Sequence, residues 1–281
     1  MTYSELMAEG VKQLTEAGIE EARTDARILL FHACGVDFMT FLRDGTLPVP
    51  EEEEACFREL LARRRKHEPV QYITGEQEFC GLCFRVQPGV LIPRPETELL
   101  AEEVFTDAKG KRVLDMCTGS GCIAVTVAKL GAPAYAAASD YSGEALAVAR
   151  KNAELLDADV TFFQGDLFER VEGLYDIIVS NPPYIRSSVV DGLMPEVRDF
   201  EPRMALDGTE DGLLFYRRIA AEAKMYLTPG GRLMFEIGHD QGETVPEILS
   251  AEGYVSIEVK KDYAGLDRMV FAVWPGDNKE I

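Results

Sequence analysis

From residue 95 onward the chain alternates short apolar runs with amphipathic ones, and this alternation constrains the fold more than any other feature. Strand-like runs read at "RVLDM" (112–116), "AYAAASD" (134–140), "VTFFQGD" (160–166), "YDIIVSN" (175–181), "GGRLMFEIG" (230–238), "YVSIEV" (254–259) and "RMVFAVW" (268–274). Helical periods fall at about 96–108, 121–130, 142–156, 211–227 and 242–252. Parallel strands need long crossovers, so this alternation predicts an α/β fold: a seven-stranded, mostly parallel sheet covered by helices on both faces. Two connections depart from the pattern. The third and fourth strands are joined by a short loop. The last two are joined by "KKDYAGLD", too short for a crossover, so the seventh strand is expected to run antiparallel.

Residues 1–68 read as helices only, a small bundle. "SELMAEGVKQLTEAG" stops at Gly18, "EARTDARILLFHACG" stops at Gly35, "DFMTFLRDG" reads as a short turn, and a helix is expected over 51–67. His32 lies in an apolar helix and is expected in its core. In residues 69–94, Phe79 and Phe84 flank Gly81-Leu82, which suggests a β-hairpin inside a Pro- and Gly-marked linker. The expected division is therefore a helical domain at 1–68, a hairpin linker at 69–94 and a catalytic domain at 95–281.

The formal net charge of -20 argues against nucleic acid as the main partner, since phosphate binding relies on Lys and Arg. "RRRK" at 63–66 is the one basic run, and it ends a helix that begins with four glutamates, as the helix dipole favours. No apolar run approaches the ~18 residues of a membrane span, and no secretory leader is evident, so a cytoplasmic protein is expected. A monomer is the separate expectation for its assembly. Six scattered cysteines suit free thiols. Cys80 and Cys83 form a Cys-x-x-Cys with no second ligand pair beside it, so no metal is expected.

"VLDMCTGSGCIAV" (113–125) reads as strand, glycine-rich turn and helix. Gly119 and Gly121 let the backbone turn tightly and approach a ligand at the helix N-terminus. This loop alone also fits a dinucleotide-binding oxidoreductase. Asp140, closing the second strand, could bind ribose hydroxyls in either class or cap the following helix. Asp166 closes the third strand, where it could accept from an adenine amine, with Leu167 packing the ring; an ordinary turn Asp is the alternative.

The fourth strand separates these readings. It runs into Asn181, Pro182, Pro183 and Tyr184. Hydride transfer has no use for such a turn at the sheet's active edge, whereas methyl transfer to a planar nitrogen does. An amide nitrogen delocalises its lone pair and is a poor nucleophile. The Asn181 side-chain oxygen and the Pro182 carbonyl could accept its two N–H groups and hold it in line with a methyl donor. The prolines stiffen the turn and remove competing donors, and the Tyr184 ring would stack on the flat target group.

With these residues assembled, the chain resembles the bacterial release-factor glutamine methyltransferases, the HemK/PrmC family of class I S-adenosylmethionine-dependent enzymes. The resemblance rests on 68–100, "LDMCTGSGCIAV" (114–125), "SNPPYI" (180–185), "FEIGHDQ" (235–241) and "KDYAGLDR" (261–268). It implies a Rossmann-like methyltransferase sheet, a helical substrate-recognition domain and methylation of N5 of the glutamine in the Gly-Gly-Gln loop of class I peptide chain release factors. The product would be S-adenosylhomocysteine. It assigns Cys117, Thr118, Gly119, Ser120 and Gly121 to the methionine end of the cofactor, Asp140 to its ribose, and Asp166 and Leu167 to its adenine. The substrate glutamine goes to Asn181, Pro182, Pro183 and Tyr184, with Asn181 also beside the cofactor and Asn181, Pro182 and Tyr184 as the catalytic set. Cys117 stands where the generic class I pattern has its first glycine. Arg94 is expected either to order the mouth of the site or to pair with Glu96 or Glu98, and Glu236 and Gln241 to hold the fifth strand and the next helix. The alternatives are an adenine-N6 methyltransferase acting on nucleic acid and a glutamine methyltransferase acting on a ribosomal protein.

Overall fold

The computed structural model describes residues 1–276 and divides into two compact units. One comprises Met1–Glu76 with Met194–Phe200; the other comprises Gln77–Leu193 with Glu201 onward.

The first unit holds helices α1 (Tyr3–Glu16), α2 (Ala22–Cys34), α3 (Phe38–Asp44), α4 (Glu51–Arg64) and α5 (Val70–Thr74). Helix α1 begins with a capping box in which Thr2 and Glu5 satisfy each other's backbone N–H groups. Leu6, Leu14, Leu29, Leu30, Phe57 and Leu61 form the core. Two expectations are corrected here. The segment read as a turn is helix α3, because Asp37 caps it by accepting from the Thr40 amide at 2.7 Å. His32 is exposed, since the buried stripe of α2 runs through Ala22, Asp25, Ala26, Leu29 and Leu30 and leaves position 32 off that face. The basic run is spent on internal partners. Arg63 pairs with Glu68, Arg65 donates to Gln13, and Arg64, buried, lies 2.7 Å from Asp25 and 2.9 Å from Glu196.

The second unit opens on a hairpin, β1 (Glu76–Phe79) and β2 (Leu82–Arg85), whose turn residues Cys80 and Gly81 have φ of 50° and 73°. Positive φ at both turn positions matches the twist of a tight hairpin. There follow α6 (Pro95–Asp107), β3 (Arg112–Met116), α7 (Cys122–Leu130), β4 (Tyr135–Asp140), α8 (Gly143–Leu155), β5 (Thr161–Gln164) and β6 (Tyr175–Ser180). Three single turns come next, α9 (Ser187–Val190), α10 (Pro195–Arg198, within the helical unit) and α11 (Arg203–Leu206). The chain ends with α12 (Leu214–Ala223), β7 (Leu227–Glu236), α13 (Thr244–Ala251), β8 (Val255–Lys261) and β9 (Asp267–Val273).

The seven-stranded sheet has the order β5-β4-β3-β6-β7-β9-β8. Its first five strands are parallel, and β9 runs antiparallel to both β7 and β8, as its short connection requires. Two apolar layers cover the sheet. One is built on Tyr175, Tyr216, Leu233 and Phe235, the other on Val113, Ile123, Ile177 and Met234 together with the hairpin's Phe79 and Phe84. Strand order reverses between β3 and β6, and ligands of open α/β sheets bind outside the carboxyl ends of the strands at such a point. Among the described residues no helix is long and apolar enough to cross a membrane.

Candidate active site

A cavity of about 320 Å³ opens at that switch point. It is lined by the ends of four neighbouring strands: Met116 and Cys117 after β3, Asp140 after β4, Asp166 and Leu167 after β5, and Asn181 after β6. Short hydrogen bonds hold these ends in register. The Ser180 hydroxyl donates to the Met116 carbonyl at 2.6 Å, the Ser139 hydroxyl to the Leu167 carbonyl at 3.0 Å, and the Thr118 amide to the Ser139 carbonyl at 3.1 Å.

The loop between β3 and α7 is built from left-handed residues. Cys117 has φ 62°, Gly119 56° and Gly121 80°. The generic pattern's first glycine therefore sits where the backbone asks for one, and Cys117 adopts that conformation at a strain cost of about 1–3 kcal/mol. Gly121 is needed for space as well, since a Cβ there would lie 3.0 Å from that of Ala149. Thr118 donates to the buried carboxylate of Asp115 at 2.5 Å, and that same oxygen accepts from the Ala124 amide at 3.2 Å. Burial pushes Asp115 up to about 7, and its other oxygen is buried with no partner among the described residues. Asn152, fully buried on α8, went unnoticed in the sequence. Its side chain donates to the carbonyls of Ser120 and Arg85 and accepts from the Arg85 amide, tying the loop to the hairpin.

Asp140 accepts from the Gly119 amide through one oxygen and from the Ser142 amide through the other, each at 2.8 Å. Burial nonetheless raises its pKa. The cap of α8 is Ser142, which accepts from the Ala145 amide, so Asp140 is not the cap. Asp166 is engaged by Arg218, two contacts of 3.0 Å to its two oxygens, and Arg218 itself lines the cavity. Leu167 is buried with φ 51°. Arg94 pairs with Glu201, whose other oxygen takes the Ile92 amide, and not with Glu96 or Glu98.

At the end of β6 the four-residue turn separates its members. Asn181 and the buried Pro183 line the cavity; Pro182, also buried, does not, and Tyr184 packs against the apolar layer. Tyr184 is not among the residues lining the cavity, and its hydroxyl reaches buried Glu236, 3.3 Å away. The Asn181 Nδ2 donates to the Thr97 hydroxyl at 3.1 Å, and Thr97 donates to the other oxygen of Glu236 at 2.6 Å. The Asn181 Oδ1 and the Pro182 carbonyl accept nothing from the described residues. Gln241 pins the turn from below, donating to the carbonyls of Tyr184 and Gly212, each at 3.2 Å. Burial pushes Glu236 up to about 7 against the opposing pull of Thr97, Arg268 and Tyr184.

Residues 5–75 match the PrmC N-terminal domain and residues 94–194 the methyltransferase small domain. A release factor glutamine methyltransferase of Geobacter sulfurreducens is 48% identical over 92% of this chain and 91% of its own. One of Clostridium acetobutylicum is 40% identical over 98% of this chain and 100% of its own. The chain belongs to the release factor glutamine methyltransferase family. A crystal structure of a methyltransferase from Pyrococcus furiosus, 22% identical, superposes with a TM-score of 0.53 over 70% of this chain and 90% of its own, a likeness of fold. Within the family frame, the residues drawn together at the cavity are Cys117, Thr118, Gly119 and Ser120 of the loop, with Asp140, Asp166, Leu167, Asn181 and Pro183, while Gly121 packs behind it against Ala149. The Thr97–Glu236 link and Asn152 escaped the sequence, because each acts through a partner more than sixty positions away.

Proposed function

We propose that this protein transfers a methyl group from S-adenosylmethionine to N5 of the glutamine in the Gly-Gly-Gln loop of class I peptide chain release factors. The observation that carries it is a pair of acceptors that no described residue engages, Oδ1 of the cavity-lining Asn181 and the carbonyl of the next residue, Pro182.

The cavity suits the cofactor through its donor set. The left-handed loop 117–121 leaves open space at Gly119, where nothing lies within 4 Å of an added Cβ, and would take the methionyl end. Asp140, oriented by two amides, would take the ribose hydroxyls, and Leu167 with Asp166 would take the adenine. Because Arg218 holds both oxygens of Asp166, that carboxylate can bind an amine only through its remaining lone pairs. S-adenosylmethionine, when bound, supplies an electrophilic methyl on a sulfonium sulfur. The chain's part is positioning. Asn181 and Pro182 accept the two N–H groups of the substrate carboxamide and leave its nitrogen facing the cavity. Methylation makes that nitrogen acidic, so no strong base is required. The helical unit, in this reading, holds the release factor outside its loop, and the enzyme works as a cytoplasmic monomer.

The charge of -20 and the internal pairing of Arg63, Arg64 and Arg65 support a protein substrate over a flipped base. The test is a mass measurement on unmodified full-length release factor, ribosomal protein, duplex DNA and RNA, each incubated with enzyme and S-adenosylmethionine. One methyl on the Gly-Gly-Gln glutamine, lost with Asn181→Ala, supports the reading. A methyl on adenine, or on a ribosomal protein alone, refutes it.

A further inference from the structure

Building on that function, we propose that Glu236, acting through Thr97, is a positioning residue that fixes which end of the Asn181 carboxamide faces the substrate. A carboxamide has two unlike ends of nearly the same shape. With Oδ1 toward the cavity, Asn181 accepts a substrate N–H; with Nδ2 there, it sets one donor against another. The backbone around Asn181 does not decide between them, because the only hydrogen bond of its side chain among the described residues is to Thr97.

Thr97 decides through the arithmetic of a single proton. Its hydroxyl has one hydrogen to donate and lone pairs to accept with. A carboxylate at Glu236 can only accept, so the Thr97 proton is committed to it across 2.6 Å. What Thr97 then presents to Asn181 is a lone pair, which takes Nδ2 and turns Oδ1 outward. A protonated Glu236 reverses the constraint. It can donate to Thr97, whose own proton is then free to bind Oδ1, and the outward end becomes Nδ2.

The surroundings of Glu236 place this choice within reach of ordinary pH. Thr97 comes from α6, Tyr184 from the turn after β6, and Arg268 from β9, all favouring the charged form. Burial opposes it, as does Glu96 on α6. Tyr216 on α12 donates at 2.9 Å to the main-chain carbonyl of Glu236, not to its carboxylate. Thr97 and Glu236 are 2% and 1% exposed, so no solvent shares these hydrogen bonds. With the carboxyl pushed up to about 7, the productive orientation dominates above that pH and is shared below it.

Two measurements test this. The first is kcat/KM for a full-length release factor between pH 5.5 and 8.5, in the wild type and in Glu236→Gln, Thr97→Val and Thr97→Ser. The wild type is expected to lose rate below about pH 7. In Glu236→Gln that acid limb disappears, and the rate at pH 8 falls about tenfold, less than the loss of a group bonded to the reacting atoms themselves. Thr97→Val behaves likewise, and Thr97→Ser restores the wild-type level. The second follows the side-chain ¹⁵NH₂ resonances of Asn181 in the ligand-free protein, assigned with Asn181→Asp. They should shift with a midpoint near 7 in the wild type and stay still in Glu236→Gln. Glu236→Gln that keeps both the rate and the acid limb, or wild-type resonances that do not move, overturns the proposal. Should Glu236→Gln not fold, the Thr97→Val and Thr97→Ser pair decides it. If no release factor is methylated while the resonances titrate, the functional reading fails and the orientation device stands.

Discussion

Asp115→Asn should stabilise the catalytic unit relative to wild type as pH rises, and the size of the effect follows from burial. Asp115 is 1% exposed at the end of β3, and desolvation pushes it from an ordinary carboxyl up to about 7. In the unfolded chain it titrates at about 3.9. The folded state therefore binds the extra proton between about pH 4 and 7, and its stability falls as pH rises through that window. At about 1.4 kcal/mol per pH unit, the wild type loses about 3 kcal/mol from this group between pH 5 and pH 8. Asparagine is nearly isosteric and does not titrate. Its amide would leave a donor where Asp115 has a buried oxygen without a partner, a cost that does not change with pH. The absolute effect of the substitution is thus mixed, but its difference between the two pH values isolates the charge. The assay is urea unfolding of the ligand-free protein followed by fluorescence of Trp274, the only tryptophan, which packs against Tyr254 in the catalytic unit. A mutant-minus-wild-type difference that stays constant from pH 5 to pH 8 would refute the reasoning.

Gly212 has φ +74°, and a Cβ there would collide with the Tyr184 carbonyl. Gly212→Ala should cost more than about 1 kcal/mol in the same urea assay and lower methyl transfer by displacing the turn that carries Asn181. In the helical unit, Arg64→Met leaves buried Asp25 without its cation and half-buried Glu196 with His67 alone. It should destabilise that unit by about 3–5 kcal/mol, visible as an earlier helical transition in far-ultraviolet circular dichroism. A shift of less than about 1 kcal/mol would mean that the pair is solvated.

What could be read in the sequence was local. Alternation gave the parallel sheet, and the short link at "KKDYAGLD" gave the direction of β9, though not its place between β7 and β8. The turn at 181–184 was legible because two prolines after a buried strand are costly anywhere else. Its internal division was not. Tyr184, expected to stack on the substrate, is drawn to Glu236, fifty-two positions later, and no spacing rule connects them. The same holds for Thr97, 139 positions before Glu236. Periodicity finds which face is buried; it does not find which buried hydroxyl meets which buried acid. His32 shows the opposite error, an apolar neighbourhood taken as burial when the helix phase put the residue outside.

Residues 194–200 belong to the helical unit, so its parts are made at different times. That unit's first five helices precede the hairpin and the first four strands of the large sheet in the chain, yet the unit lacks a member until residue 200 has been added. Arg64 waits 132 residues for Glu196, with Asp25 as its only acidic partner meanwhile. At ~5–20 residues per second, the delay lasts several seconds or more. The helical unit is therefore completed only after four strands of the large sheet have been made, and no single cut in the chain releases it whole.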